Sequence, residues 1–201
     1  MSIDAASAQL YLASRSPRRA ELLRQLGLRF ETLPVDVVET PAPGQTPADY
    51  ALATALAKAL AAARSAPRAL PVLGADTDVA LDGEILGKPR DRAQGLAMLE
   101  RLAGRVHEVY SAVAVVAGGR RESALSVTRV HFGPIRAEEA EAYWDSGEPV
   151  DKAGAYAIQG YAARWVKMIE GSYSGVVGLP LYETVALLER FGVKVFPRPV
   201  P

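Results

Sequence analysis

Leu10-Tyr11-Leu12-Ala13-Ser14-Arg15-Ser16-Pro17-Arg18-Arg19 decides the fold. Four apolar residues in a row read as a short buried strand. Ser16-Pro17 then opens a helix, with serine as N-cap and proline at the first helical position, where a missing N–H costs nothing. Leu22, Leu23 and Leu26 share one face of that helix, and Gly27 ends it. A strand that runs straight into a helix starts an α/β pattern, and the rest of the chain continues it. Thr46-Pro47-Ala48-Asp49 opens a second, Ala-rich helix in the same way, to about Arg64. Leu70 to Ala75 is a buried-strand candidate, and Asp82-Gly83 a hairpin turn. Leu96, Leu99 and Leu102 give Arg92 to Ala103 a helical period, closed by Gly104. Two long strands, Val106 to Ala117 and Glu122 to Phe132, meet at Gly118-Gly119, and Ala137 to Asp145 is a short helix. From Ser146 to Gly178 the chain is rich in glycine and aromatics, and Pro180 starts a last helix ending near Phe191. Strands and helices in this order imply an α/β protein, a sheet with helices on its faces. Without a repeat, a low-complexity linker or a charge block, residues 1–201 read as a single domain.

Composition narrows the function. The 201 residues are 49% hydrophobic, enough for one substantial core. Basic and acidic residues number 23 each, so the molecule lacks the basic excess that coats a nucleic-acid polymer. An anion site would have to come from a local cluster of cations. Cysteine is absent, which excludes disulfides, thiolate zinc sites and cysteine nucleophiles. Met1 to Gln9 carries Asp4 and no basic residue, unlike a secretory signal. The most apolar run, Tyr50 to Ala63, holds Lys58 and falls short of the roughly 20 residues that span a bilayer. The expectation is a cytoplasmic globular protein with no membrane partner.

Two segments carry candidate chemistry. Arg15, Arg18 and Arg19 crowd a strand-to-helix turn with no acid between Tyr11 and Ala20. Free backbone N–H groups and the macrodipole favour anions there, so cations are misplaced, by about 0.3–1 kcal/mol each when exposed. A polyphosphate would relieve that, because arginine binds phosphate oxygens bidentately. The bland alternative is a solvated basic helix start. Val72-Leu73-Gly74-Ala75-Asp76-Thr77-Asp78 ends an apolar strand with two acids that alternation places on one face. Asp76 could be a general base on water, a ligand of a divalent ion, or an ordinary turn acid. Gly87-Lys88-Pro89 would return a lysine toward the same end, although a lone lysine is usually solvated. Lys58 either snorkels from its apolar helix or reaches a cleft. Glu39, in the extended segment Val35 to Thr40, reads by default as a surface acid.

Taken together, Leu12 to Arg19, Gly74-Ala75-Asp76-Thr77, Leu86-Gly87-Lys88-Pro89, Asp151-Lys152-Ala153-Gly154-Ala155-Tyr156-Ala157-Ile158-Gln159-Gly160, Gly171-Ser172-Tyr173 and Val177 to Leu181 resemble the Maf family of nucleotide pyrophosphatases. The likeness spans Leu10 to about Phe191. It implies a long twisted mixed sheet flanked by helices, two lobes around a deep cleft as in ITPase-like folds, and often a homodimer. It also implies hydrolysis of nucleoside triphosphates between the α and β phosphates with a divalent metal cation, Mg2+ or Mn2+. By motif, Arg18 and Arg19 would grip phosphates, Ser14 would line that turn, and Asp76 would activate water. Lys58, Lys88 and Glu39 match family positions too, so the resemblance revises their bland readings.

The block ending at Gln159 looks like the branch acting on dTTP and UTP. The Gln159 amide offers a donor and an acceptor to a pyrimidine O4/N3–H edge, and Arg18 and Thr77 are the family's other specificity positions. Three positions depart from the pattern: Asp78 for an aliphatic residue, Ala53 for an arginine and Ala162 for a glycine. Asp78 would add negative charge near the metal. The alternatives are the methylated-GTP branch, a house-cleaning enzyme for modified pyrimidine nucleotides, and a nucleotide-sensing regulator of cell division.

Overall fold

The backbone N–H and C=O groups of the first buried run find partners on both sides. β1 (Leu10–Ala13) is flanked by β2 (Phe30–Thr32) and β3 (Val72–Leu81), parallel to each. The computed structural model describes residues 8–195, so most of the Met1 to Gln9 reading lies outside the described residues. α1 (Pro17–Gln25) is capped by Ser16, whose hydroxyl accepts from the Arg19 N–H. α2 (Pro47–Ala63) is capped by Thr46 in the same way. β4 (Glu84–Leu86) folds back on β3 through Asp82-Gly83, both at positive φ, as a tight hairpin of this kind requires. α3 (Arg92–Leu102), β5 (Val106–Ala117), β6 (Arg120–Phe132) and α4 (Ala137–Asp145) follow. Short 3-10 turns at Ala153–Ala155 and Tyr161–Trp165 lead into β7 (Val166–Glu170), α5 (Tyr173–Val177) and α6 (Leu181–Arg190). No helix among the described residues is long and apolar enough to cross a membrane.

The sheet runs β2-β1-β3-β5-β6-β7, with β4 beside β3. Its β1–β2 and β1–β3 pairs are parallel and the rest antiparallel, so it is mixed. One sequence expectation needs correction. The strand read as Leu70 to Ala75 extends to Leu81, because β5 pairs with β3 continuously from Val72 to Ala80 and satisfies the backbone past the acids. Asp76 and Asp78 therefore sit mid-strand. What ends near them is β1, whose pairing stops at Gly74, while β4 begins at Val79. Between those points, the β3 edge from Ala75 to Asp78 has no strand beside it among the described residues.

On one face of β3, Leu73 and Ala75 belong to a cluster with α1 and α6, and Val79 and Leu81 to another with α3 and α4. Thr77 lies between them. β5 repeats the pattern: Val113 and Val115 in the first cluster, Val109 in the second, Ser111 between. Thr77 and Ser111 are register partners, so a polar seam crosses the sheet where the two halves meet. On the opposite face α2 packs so closely that a Cβ on Gly74 would stand 2.3 Å from the Ala55 carbonyl oxygen.

Candidate active site

A cleft of about 940 Å³ opens over the seam and over the free edge of β3. Its lining includes Ser14, Arg18, Arg19, Glu39, Lys58, Asp76, Thr77, Lys88 and Gln159, so every candidate named from the sequence meets in one place. The molecule is neutral overall, and this local gathering supplies the cations an anion needs.

Lys58 is the centre of one group. It rises from the buried face of α2 with only 7% of its surface exposed, as are Asp76 and Asp78. Its Nζ donates to Asp76 Oδ1 at 2.7 Å and lies 2.6 Å from Glu39 Oε1. Lys88, exposed on the loop after β4, stands 3.6 Å from the other Glu39 oxygen. Burial works against the Glu39 carboxylate, yet the Lys58 hydrogen bond and charge, with Lys88 and Arg19, hold its carboxyl below the usual range. The reading of Lys58 as a snorkelling surface lysine is thus overturned, because an ammonium this deep needs two acids to offset its lost hydration.

Asp78 shares the Asp76 face, as strand alternation requires, and its Oδ2 is buried without a hydrogen-bond partner. Burial first, and the charge and hydrogen bond of Asp76 second, push its carboxyl up to about 8. That pull toward the protonated form weakens the negative charge its place in the sequence suggests, and a cation beside the pair would restore it. Burial, with Asp78 and Asp76 nearby, also raises the neighbouring Tyr50 hydroxyl to about 12.

The arginine turn forms the second group. Arg19 reaches across the seam, donating from Nε to the Gly178 carbonyl at 2.9 Å, from Nη1 to Ser14 Oγ at 3.3 Å and from Nη2 to Thr77 Oγ1 at 3.4 Å. Thr77 Oγ1 is itself 3.0 Å from Ser111 Oγ and 3.2 Å from the Gly178 oxygen. All these acceptors are neutral, so the guanidinium is aimed without being neutralised. Burial lowers its pKa, and Asp76, Glu39 and Asp78 oppose that shift. Arg18 is half-buried at the same turn, while exposed Arg15 pairs with Asp36. Exposed Gln159 lies on the far wall beside buried Tyr156, whose hydroxyl meets His107 Nε2 at 2.8 Å. Sequence reasoning missed Ser111, and reached Gly178 only within the Val177 to Leu181 motif, with no role for it. Ser111 is a small hydroxyl residue inside the largely apolar run Val109 to Val116, and Gly178, at φ +138, contributes through its backbone.

Hard oxygen donors dominate the acidic corner. Among the described residues no preformed group of three acid, histidine or cysteine side chains gathers to cage a metal. The pair Asp76 and Asp78, with the orphaned Asp78 oxygen, fits an ion such as Mg2+, which usually takes one or two carboxylates and completes its shell with water and phosphates.

Known proteins resemble this chain along most of its length. The dTTP/UTP pyrophosphatase of Cupriavidus pinatubonensis is 52% identical over 191 residues, covering 90% of this chain and 96% of that protein. That of Nitrosomonas europaea is 50% identical over 199 residues, covering 93% and 96%. Among solved structures, the Staphylococcus aureus Ham1 protein aligns over 90% of this chain and 96% of its own at 14% identity and a TM-score of 0.49. The family model described as Maf-like protein matches residues 9–191, which contain the arginine turn, the Lys58 triad and the Gln159 wall, and this chain belongs to that family.

Proposed function

We propose that the protein hydrolyses dTTP and UTP, and modified pyrimidine nucleotides of similar shape, to the monophosphate and pyrophosphate. The observation that carries this reading is the Glu39–Lys58–Asp76 triad, its lysine and aspartate buried, facing an un-neutralised Arg19 across one cleft. The 50–52% identity to dTTP/UTP pyrophosphatases supports the choice of nucleotide.

Asp76 takes the proton of the attacking water, and Lys58, at 2.7 Å, fixes its carboxylate. The water oxygen bonds to the α phosphorus, the bond to the bridging α–β oxygen breaks, and that oxygen leaves with pyrophosphate. Arg19 and Arg18 hold the phosphate oxygens, with Ser14 and Thr77 orienting Arg19. Lys88 serves the same chain of charges from the cleft mouth, through Glu39. Gln159 reads the pyrimidine edge. Asp76 and Asp78 would hold a divalent cation, which when bound neutralises charge on the phosphate oxygens.

The test is pyrophosphate release from canonical, methylated and modified nucleotides by wild type and Asp76→Asn. The variant keeps shape and hydrogen-bonding capacity but accepts no proton, so turnover should fall at least about 100-fold while dTTP still binds in calorimetry. Near-normal turnover would move the base elsewhere. A tenfold preference for GTP derivatives would place the chain in the methylated-GTP branch instead.

A further inference from the structure

The cleft cations sort into two sets. Lys58, Lys88 and Arg15 each have a carboxylate within 4 Å. Arg18, Arg19 and Lys152 have none among the described residues. Lys152 lines the cleft, half-buried, and its Nζ donates only to the Val150 carbonyl, at 3.1 Å.

The backbone around Lys152 is built, at a cost, to keep it there. Asp151 at φ +62 and Ala155 at φ +57 occupy the left-handed region, which non-glycine residues avoid, and Gly154 lies at φ +67. Such residues cost about 1–3 kcal/mol each and persist where surrounding contacts impose them. Those contacts are visible. Gly154 sits so near Val79 that a Cβ would come to 3.0 Å of its Cγ1, its N–H donates to the Gly87 carbonyl at 3.2 Å, and Ala155 is fully buried. The segment is thereby pinned to β3 one residue past Asp78, and to the loop that carries Lys88. Burial lowers the Lys152 ammonium pKa, and the like charge of Arg18 lowers it further. Burial and then Arg19 act on Arg18 in the same sense. Asp151 and Glu148 oppose the Lys152 shift only from a distance, so three neighbouring cations with no carboxylate within 4 Å among the described residues leave a place for a multiply charged anion.

We propose that Lys152 is a substrate-binding residue that joins Arg18 and Arg19 in holding the phosphates that leave as pyrophosphate. The acid-paired lysines then sit at the attacked phosphorus, and the acid-free set grips the leaving group. The proposal rests on the hydrolase reading above, so its probe is inorganic pyrophosphate, which requires no turnover. Calorimetry and product inhibition would be measured on wild type, Lys152→Gln and Lys152→Arg, with circular dichroism as the folding control. Lys152→Gln should bind pyrophosphate about tenfold more weakly, in line with the loss of one charge-assisted bond. Its KM for dTTP should rise by more than its kcat falls, and Lys152→Arg should recover most of the affinity. Unchanged pyrophosphate affinity in folded Lys152→Gln would overturn the proposal and leave the lysine a loop tether. Wild-type hydrolysis of dTTP without measurable pyrophosphate binding would also overturn it, leaving the hydrolase reading standing. Pyrophosphate binding that depends on Lys152, in a protein that cleaves no nucleotide, would uphold the anion site and sink the hydrolase reading.

Discussion

At the scale of the residue, Arg19 and His107 show how the same burial serves different ends. Arg19 spends its donors on neutral acceptors, the Gly178 carbonyl, Ser14 and Thr77, so its charge remains for a ligand. Removing it takes away charge-assisted bonds worth about 1.5–3 kcal/mol each, and kcat/KM of Arg19→Ala should fall at least about tenfold with the melting temperature little changed. Steady-state kinetics beside thermal melts check both parts, and wild-type kinetics would return the turn to a solvated helix start. His107, only 1% exposed, is held neutral: burial first and His131 second take its pKa from 6.5 to about 4. The unfolded chain binds that proton at higher pH than the folded one. Stability from the neutral imidazole is thus complete above about 6.5 and is lost as pH falls toward 4, by on the order of 3 kcal/mol in full. His107→Gln keeps a partner for Tyr156 and removes the titration, so its melting temperature should decline less steeply over that interval. An acid limb identical to wild type would exonerate the histidine.

Elements set these residues in place, and the junction of α2 with β3 does most of it. Gly74 lets the helix backbone lie against the strand, with Ala55 and Ala59 beneath it, and this contact puts Lys58 within reach of Asp76. A methyl at Gly74 would meet backbone atoms at 2.3 and 2.6 Å, which no side-chain rotation relieves. Gly74→Ala should destabilise the fold by about 1–3 kcal/mol or more and cut kcat further than stability alone explains, because the helix must retreat with its lysine. Chemical denaturation with kinetics on the folded fraction measures the two. Full activity in a folded Gly74→Ala would mean the triad tolerates a shifted helix.

The junctions of β1 with α1 and of Thr46 with α2 were legible in the sequence, because an N-cap and a proline at the first helical position act locally. The long reach of β3 was not. Asp76-Thr77-Asp78 looks like a strand end until β5 is known to pair along it and Lys58 to answer the acid. β2 and β7, of three and five residues, escape a sequence reading because their pairing comes from distant neighbours more than from any period of their own, whereas β4 follows from the Asp82-Gly83 hairpin turn. Local chemistry singles out the arginine turn and Asp76, whereas spacing alone leaves Lys58 and Glu39 as surface groups until the motifs are weighed. Only the approach of α2 to β3 buries Lys58 against Asp76, and Glu39 meets the lysine from the exposed side.

For the whole molecule the question is whether two clusters make two domains, and the sheet argues that they do not. β3 passes from Leu73 and Ala75 in one cluster to Val79 and Leu81 in the other, and β5 returns through Val109, Ser111 and Val113. Nine consecutive register pairs, Val72–Val116 to Ala80–Glu108, cross the seam without a break. Val177 also packs against both clusters. Unfolding either half alone would strip those strands of hydrogen bonds and leave the apolar face of the other half in water, so the chain should unfold as one cooperative unit. The two tryptophans give a clean reporter. Trp165 belongs to the cluster with Val79, and Trp144 packs on Gly95 of α3 beside it, so their fluorescence follows only that half. Far-UV circular dichroism follows both halves. In a guanidinium titration the two curves should coincide. Leu23→Ala, a fully buried truncation in the opposite cluster that should cost about 2–5 kcal/mol, should shift both midpoints equally. A tryptophan transition that ignores Leu23→Ala while the dichroism moves would split the molecule into two folding units, and the cleft would then lie between domains free to unfold apart.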